Sequence, residues 1–324
     1  MDEVRWFASN AYTALVVSWL REHGLVVATD GDRPARVALA MSGLAAEEAW
    51  RFSRRHGARF IVYLWDLPPV GTGWGRADPV WWVGGRFLRL PRPWGGYRRR
   101  RGYYSRLRYI SARADAVWGA STLTCDTIAE RFGVRAERLP YCYDSNRFRP
   151  RPPDAPRADP PILLTVSRLR QHKNQAAVLE AAARLGQPVR VRLIGRGEEA
   201  GALAALARRL NVTCTVETSA DDATVDRAYH EATVAVCPSR FEGFGLTPIE
   251  AVASGVPTVA SDIPPHREFA GPAVRLVPVD DVPALATAIG AALNAPPADP
   301  ALIADLTIPA AGARLLSALR PFLG

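Results

Sequence analysis

Pro238-Ser239-Arg240-Phe241-Glu242-Gly243-Phe244-Gly245-Leu246-Thr247-Pro248-Ile249-Glu250-Ala251 is the stretch of this 324-residue chain best equipped for chemistry. Its two glycines let consecutive amide N–H groups turn toward one ligand. Pro248, read as the first helical position, would start a helix whose positive end faces the same place. That is a cradle for an anion. Glu242 precedes the glycines, where a carboxylate is either solvated or aimed at a hydroxylated ligand. Glu250 has a second reading, because Thr247-Pro248-Ile249-Glu250 fits a capping box in which the glutamate satisfies a helix-terminal amide.

Two further loops belong with it. Ser167-Arg168-Leu169-Arg170-Gln171-His172-Lys173-Asn174 ends on Asn174, a side-chain cap for a helix expected over 175–185. Lys173 is the one lysine in a chain with 40 arginines, which points to a compact ammonium being needed beside a helix N-terminus. Gly195-Arg196-Gly197-Glu198 allows close backbone approach to a ligand, although G-x-G is as often a plain strand-to-helix turn. Glu242 and Lys173 are expected in loops, so their replacement is expected to leave the fold intact.

The elements that must hold these loops alternate. Short β-rich runs at 162–166, 189–194, 212–216, 233–237, 256–260 and 273–277 are separated by helical stretches, the pattern of a parallel sheet covered on both faces. Loops following such strands are where ligands bind. The first half repeats the alternation less cleanly, with strands near 4–7, 37–40, 60–64 and 115–119 and helices near 10–22, 45–56 and 121–132. Six prolines in residues 150–161 exclude helix and central strand there and read as a stiff linker. Three pieces follow: residues 1–150, residues 151–305, and a C-terminal helix at 306–324 that could pack on either domain.

Charge divides the halves. Residues 1–155 hold 25 arginines against 15 acids, net +10, and the remainder holds 16 basic against 17 acidic residues, net −1, together the +9 of the whole chain. All nine tryptophans lie in the first half. Four cysteines stand apart from one another and from histidine, so a zinc site or disulfide scaffold is not expected, and the thiols read as buried. No metal site is expected. The start of the chain lacks the order of a signal peptide, and no apolar run reaches the length of a bilayer span. The expected setting is cytoplasmic, with peripheral contact at the inner membrane face left open.

These residues resemble the donor half of family-4 retaining glycosyltransferases of the GT-B fold. The resemblance rests on Ser167-Arg168 with Lys173, Gly195-x-Gly197, the E-x7-E pair Glu242 and Glu250 around Gly243-Phe244-Gly245-Leu246, and Ala253-x-Gly255-Val256-Pro257. It extends backwards through Ala114-Asp115-Ala116-Val117 with Ser121, and through Tyr143-Asp144 with Phe148 and Pro150, covering residues 105–295. It implies two Rossmann-like, doubly wound α/β domains facing across a cleft, an N-terminal one for the acceptor and a C-terminal one for a UDP- or GDP-sugar. It further implies that Arg168 and Lys173 hold the donor pyrophosphate, that Glu242 meets hydroxyls of the transferred hexose, and that Glu250 meets the ribose. Ser167, Gly195, Gly197 and the amides from Gly243 through Phe244, Gly245, Leu246 and Thr247 would line the donor. The implied reaction is metal-independent and retains anomeric configuration. Family members often carry a His-Asp pair after an N-domain strand. Here the matching residues are Trp65-Asp66, which leaves Asp66 as the N-domain's catalytic contributor.

Residues 81–113 contain ten arginines, no acid and eight aromatics. Trp81, Trp82, Arg86, Arg98, Arg99, Arg100 and Arg101 are the core of this expected acceptor or polyanion surface. A run of charge is commonly a solvated helix face. Three ligands suit it otherwise: an anionic lipid surface, a nucleic acid, or an acidic or lipid-linked glycan. A lipid-linked or polysaccharide glycan acceptor ranks first and a DNA- or RNA-modifying transferase second. A non-catalytic nucleotide-sugar-binding module is the reading outside enzymology.

Overall fold

The computed structural model describes residues 2–7, 11–65, 67, 82–83, 86–87, 97–152 and 158–324. It separates into two compact units, Met1–Tyr141 with Ile308–Gly324, and Cys142–Thr307. The division is thus not at the prolines. Residues 142–150 and the proline-rich stretch fall inside the second unit: the Tyr143 amide donates to the Leu306 carbonyl at 3.1 Å, and Phe148 packs edge-on against Tyr229.

In the first unit the order is β1 (Asp2–Phe7), α1 (Ala11–Glu22), β2 (Val27–Ala28), β3 (Ala35–Ala40), α2 (Ala46–His56), β4 (Arg59–Leu64), β5 (Trp82–Val83), β6 (Arg86–Phe87), α3 (Tyr97–Ser111), β7 (Ala116–Gly119), α4 (Thr122–Phe132) and β8 (Glu137–Arg138). Six strands form a parallel sheet in the order β2-β1-β3-β4-β7-β8, and β5 and β6 pair antiparallel by themselves. Central strands of a parallel sheet are covered on both faces and read as continuous apolar runs, as Phe60 to Leu64 do. Helix α2 turns Ala46, Ala49, Phe52 and Ser53 inward, one helical stripe. Helix α4 starts where the Ser121 hydroxyl accepts from the Thr124 amide at 3.1 Å and stops at Gly133, whose left-handed backbone only glycine takes up without strain.

Helix α11 (Ile308–Leu323) closes this unit, touching α1 and β3. Trp19 of α1 lies so close to Gly312 that a β-carbon there would stand 2.2 Å from the indole. Contrary to expectation, Pro300–Leu323 is long and apolar enough, by length and composition, to cross a membrane. Much of that apolarity has another use, since Ile308, Ala311, Gly312, Leu315 and Leu319 are buried.

The second unit runs β9 (Ile162–Val166), α5 (Gln175–Ala182), β10 (Arg190–Ile194), α6 (Ala200–Arg209), β11 (Cys214–Glu217), α7 (Asp222–Glu231), β12 (Val234–Cys237), α8 (Leu246–Ala253), β13 (Thr258–Ser261), α9 (Pro264–Ala270), β14 (Arg275–Val277) and α10 (Val282–Ala292). Its parallel sheet has the order β11-β10-β9-β12-β13-β14. The chain builds outward one way from β9 through β11 and then returns to lay β12 against the other side of β9. Strands β9 and β12 therefore flank a topological switch point, where adjacent loops diverge and leave room for a ligand. Ser167–Asn174 leaves β9, and Pro238–Gly245 leaves β12.

Candidate donor site at the switch point

Lys173 ends a 3-10 turn, Gln171–Lys173, and is 9% exposed. Its Nζ donates to both carboxylate oxygens of Glu242, at 2.6 Å to Oε1 and 2.7 Å to Oε2, and the Ser239 hydroxyl donates to Oε1 at 2.7 Å. Glu242 is thus neither solvated nor free: it is mostly buried and has a structural partner. Burial pushes its carboxyl upward. The Lys173 ammonium and the bonds from Lys173 and Ser239 outweigh that and hold it below the usual carboxylate range. Lys173 and Glu242, 69 residues apart, are brought together by the adjacency of β9 and β12.

The turn carrying Lys173 is clamped from several sides. Arg240 donates to the Gln171 carbonyl at 2.8 Å and to Asp280 at 2.8 Å, while its own amide donates to the His172 carbonyl. Asn174 is not the side-chain cap that was expected. Its backbone is left-handed and its side-chain Nδ2 donates to Asp280 at 3.1 Å. Gln175, the first residue of α5, reaches back to the Ser167 hydroxyl at 2.8 Å and the Arg168 carbonyl at 2.9 Å, which holds the start of the loop. Arg168 itself is exposed.

Gly195 and Gly197 approach the protein's own backbone. A β-carbon at Gly195 would stand 1.9 Å from the Ser167 carbonyl oxygen, and one at Gly197 2.0 Å from that of Leu169. The Ser167 amide donates to Ile194 and the Leu169 amide to Arg196, so two loops zip together where only glycine fits. The close approach expected of a ligand is, on this side, made by the Ser167–Leu169 segment.

Helix α8 begins at Leu246 behind a left-handed Gly245, which places Pro248 third rather than first. The Thr247 hydroxyl donates to the Val166 carbonyl at 3.1 Å, and no side chain caps the helix. The capping-box alternative therefore falls. Glu250 instead accepts from the Tyr229 hydroxyl at 3.3 Å. Gly243, Phe244 and Gly245 are buried, Phe244 stacking at a tilt on Phe269 with ring centres 4.2 Å apart. The first amides of an α-helix have no partner within the helix, the feature on which the anion cradle expected from the sequence depends.

His266 and Tyr229 are polar residues near these groups that the sequence reading missed. His266 lies on α9 after β13, and its Cδ2 would sit 2.8 Å from a β-carbon at Gly245. No local signal marks it; only the packing of α9 behind the glycine loop does.

On the remaining expectations, Trp65 is half-buried against Tyr141, ring centres 4.8 Å apart. Asp66 and Trp81 fall outside the described residues. Trp82 and Arg86 lie on the β5–β6 pair, and Arg98, Arg99, Arg100 and Arg101 lie in the first turns of α3. Farther along α3, Leu107 and Ile110 are buried and Arg106 pairs with Glu47 at 3.0 Å. Cys142 and Cys237 are buried, but Cys125 and Cys214 are half-buried.

A profile of the glycosyl transferases group 1 family matches residues 147–304. The MMP alpha-(1->4)-mannosyltransferase of Mycolicibacterium hassiacum is 30% identical over 209 residues, which is 61% of this chain and 50% of that protein. The GDP-mannose-dependent alpha-(1-6)-phosphatidylinositol monomannoside mannosyltransferase of Mycolicibacterium smegmatis is 30% identical over 213 residues, 59% of this chain and 56% of that protein. The chain spans about half the length of these curated relatives. Among solved structures, Anabaena HepE in complex with UDP and glucose superposes with a TM-score of 0.73 at 14% identity, covering 99% of this chain and 100% of that one. Sucrose-phosphate synthase from Thermosynechococcus elongatus gives 0.62 at 20% identity, covering 96% and 75%. Identities this low bear on the fold alone. With two parallel six-stranded sheets and these neighbours the fold is GT-B, and residues 147–304 match the glycosyl transferases group 1 family.

Proposed function

We propose that this protein is a retaining glycosyltransferase that moves a hexose from a nucleoside-diphosphate sugar to an acceptor glycan. The observation that carries the reading is the nearly buried Lys173–Glu242 pair at the β9/β12 switch point, one residue cluster away from the uncapped start of α8. A protein core has no use for a lysine and a glutamate that must both be desolvated, and replacing such a pair by apolar residues is commonly neutral or stabilising. A site that handles an anion and hydroxyl groups uses both. Two relatives are named as mannosyltransferases, one of them GDP-mannose-dependent, and HepE is described with UDP and glucose. The donor is accordingly a GDP- or UDP-hexose.

In this reading Arg168 and Lys173 hold the pyrophosphate, Glu242 the sugar hydroxyls and Glu250 the ribose. The bond from the anomeric carbon to the phosphate oxygen breaks as the acceptor oxygen arrives on the same face. The departing phosphate oxygen takes the acceptor proton, so no strong side-chain base is needed. Charge gathers on the leaving diphosphate, where fixed cations and helix amides already stand, and stabilisation of this preorganised kind is commonly the largest part of catalysis. Those groups do the work a divalent cation would otherwise do, and the reaction is proposed to be metal-independent.

The first unit is proposed to bind the acceptor through the basic, aromatic stretch 81–113. A lipid-linked or polysaccharide glycan is favoured, in keeping with the phosphatidylinositol monomannoside in one relative's name. A thermal-shift series with UDP, GDP and their hexose conjugates tests the donor assignment. A ligand at 100 times its dissociation constant adds about 2.7 kcal/mol of stability. Stabilisation by one nucleotide series together with sugar release or transfer supports the reading. Stabilisation without turnover toward any glycan would leave a binding module, and no response to any nucleotide would sink the donor site.

A further inference from the structure

His266 is a buried histidine with one nitrogen accounted for. Its Nδ1 lies 2.8 Å from the Ser261 carbonyl, which only accepts, so Nδ1 carries the proton and Nε2 holds a lone pair. Among the described residues Nε2 is buried without a hydrogen-bond partner, and it lies 3.2 Å from where a β-carbon of Gly245 would be, a point 4.0 Å from the Glu242 Cβ. A buried acceptor left unpaired is costly, and the ring is not there merely to fill space, for which an apolar side chain would serve better. On its own helix, Arg267 is tied to Asp262. The charges bearing on the ring from other elements are Glu242 and Lys173, with opposite effects.

Without ligand, two lysine bonds and one serine bond engage the Glu242 carboxylate. A diphosphate donor needs that same lysine. As the ammonium turns toward phosphate, Glu242 is left mostly buried with the Ser239 hydroxyl, a poor substitute for a cation. His172 and His266 both feel the Glu242 and Lys173 charges, and His266 is the one that stands on α9 behind the glycine loop, so the comparison with His266→Gln separates the two. We propose that His266 is a positioning residue of the donor site, gaining a proton at Nε2 and replacing Lys173 as the counter-charge of Glu242 when an anionic donor engages the lysine. The inference rests on the donor-site reading above. The proton comes from solvent, and both ring nitrogens then donate.

The charge balance runs in one direction. In the free protein, burial holds the imidazole neutral, opposed by Glu242 and assisted by Lys173. Donor binding draws the lysine's charge toward phosphate and adds negative charge nearby, and both changes favour protonation. Proton uptake on binding is the signature, and a ring that merely packs against Gly245 would not produce it.

Titrating the intact protein with UDP and with GDP by calorimetry at neutral pH, in two buffers of different ionisation enthalpy, reads the uptake. The same titration of His266→Gln supplies the comparison, since protons exchanged by the nucleotide itself appear in both. Nitrogen NMR of histidine-labelled protein follows the Nε2 signal of His266 without depending on that variant. Net uptake in the unmodified protein that is lost in His266→Gln, with Nε2 moving from the unprotonated to the protonated range at saturation, is the expected result. Binding with equal buffer dependence in both proteins, or with Nε2 still unprotonated at saturation, overturns the role of His266 alone. Failure of the unmodified protein to bind either nucleotide overturns the donor site and this inference together.

Discussion

The two units share one architecture and differ in the polar groups they bury. Among the polar groups buried in the first, Arg5 donates to the carbonyls of Gly31, Trp6 and Ala28, and Ser121 caps α4. In the second, a buried lysine and carboxylate bond to each other, backed by Ser239 and an unpaired histidine nitrogen. Both sheets are parallel and six-stranded, so the difference is not demanded by the fold. A buried polar group that satisfies backbone is architecture. A buried ion pair at a switch point is, in the proposed reading, a site whose charges are already desolvated before a ligand arrives.

The largest effect is expected at that pair. Lys173→Ala should lower turnover by roughly two to four orders of magnitude, the scale of losing one preorganised charge-stabilising group. Because Lys173 and Glu242 are nearly buried rather than loop-exposed, this variant should also lose stability, by about 3–5 kcal/mol, the range for stranding one member of a buried pair. The double variant Lys173→Ala with Glu242→Gln should recover much of that stability in denaturant unfolding while remaining inactive. Full stability of Lys173→Ala would make the pair a surface feature and end the contrast between the units.

Acid unfolding sharpens the same point. The folded-state value of Glu242 lies below its ordinary 4.5, so its contribution to stability is complete above that value and is lost as pH falls through the folded value. Glu242→Gln should therefore flatten the acid limb of a stability-against-pH curve. An unchanged limb would mean that the carboxylate gains nothing from its partners.

Gly197→Ala is next, at about 3 kcal/mol, the upper part of the range for overpacking, because its new carbon meets backbone rather than a flexible side chain. Nucleotide affinity should fall with it, since Ser167–Leu169 must move. Gly186→Ala, where nothing lies within 4 Å, is the control for which little change is expected.

In the first unit, changing Arg98, Arg99, Arg100 and Arg101 together to alanine should weaken acceptor or anionic-vesicle binding and leave nucleotide affinity unchanged. If each meets one phosphate, the log-log salt slope should become shallower by about 0.7 to 0.9 per arginine removed. Binding that resists salt points to a lipid surface engaged by aromatic side chains. Binding to neither glycan, nucleic acid nor anionic vesicles would return the run to a solvated face. The smallest effect is assigned to Glu250→Gln, a several-fold rise in donor KM with an unchanged melting temperature, since its bond from Tyr229 at 3.3 Å is long and Gln retains an acceptor oxygen. A fall in melting temperature without a KM change would make Glu250 structural.

Much of this molecule was legible one residue at a time. The strand at 162–166 coincides with the reading, and β10, β12 and β14 lie inside their expected ranges, because buried parallel strands are short apolar runs with sharp ends. Lys173, Glu242, Gly195 and Gly197 were singled out because charge in an apolar context and paired glycines are local, compositional signals. The missed parts are those that depend on partners distant in sequence. Asn174 looked like a cap until Asp280, 106 residues on, took its amide. Thr247 and Glu250 looked like a capping box until Val166 and Tyr229 took them apart. The proline run looked like a domain boundary because proline reports local stiffness, whereas a boundary is where contacts cease. Sequence by itself determined most of the strands and helices of the second unit and which loops carry charge and paired glycines, since propensity, periodicity and glycine sterics act over a few residues. Tertiary structure decided that Lys173 neutralises Glu242, that Gly195 and Gly197 seat another loop, and that His266 stands behind the glycines, because strand order alone sets which distant loops become neighbours.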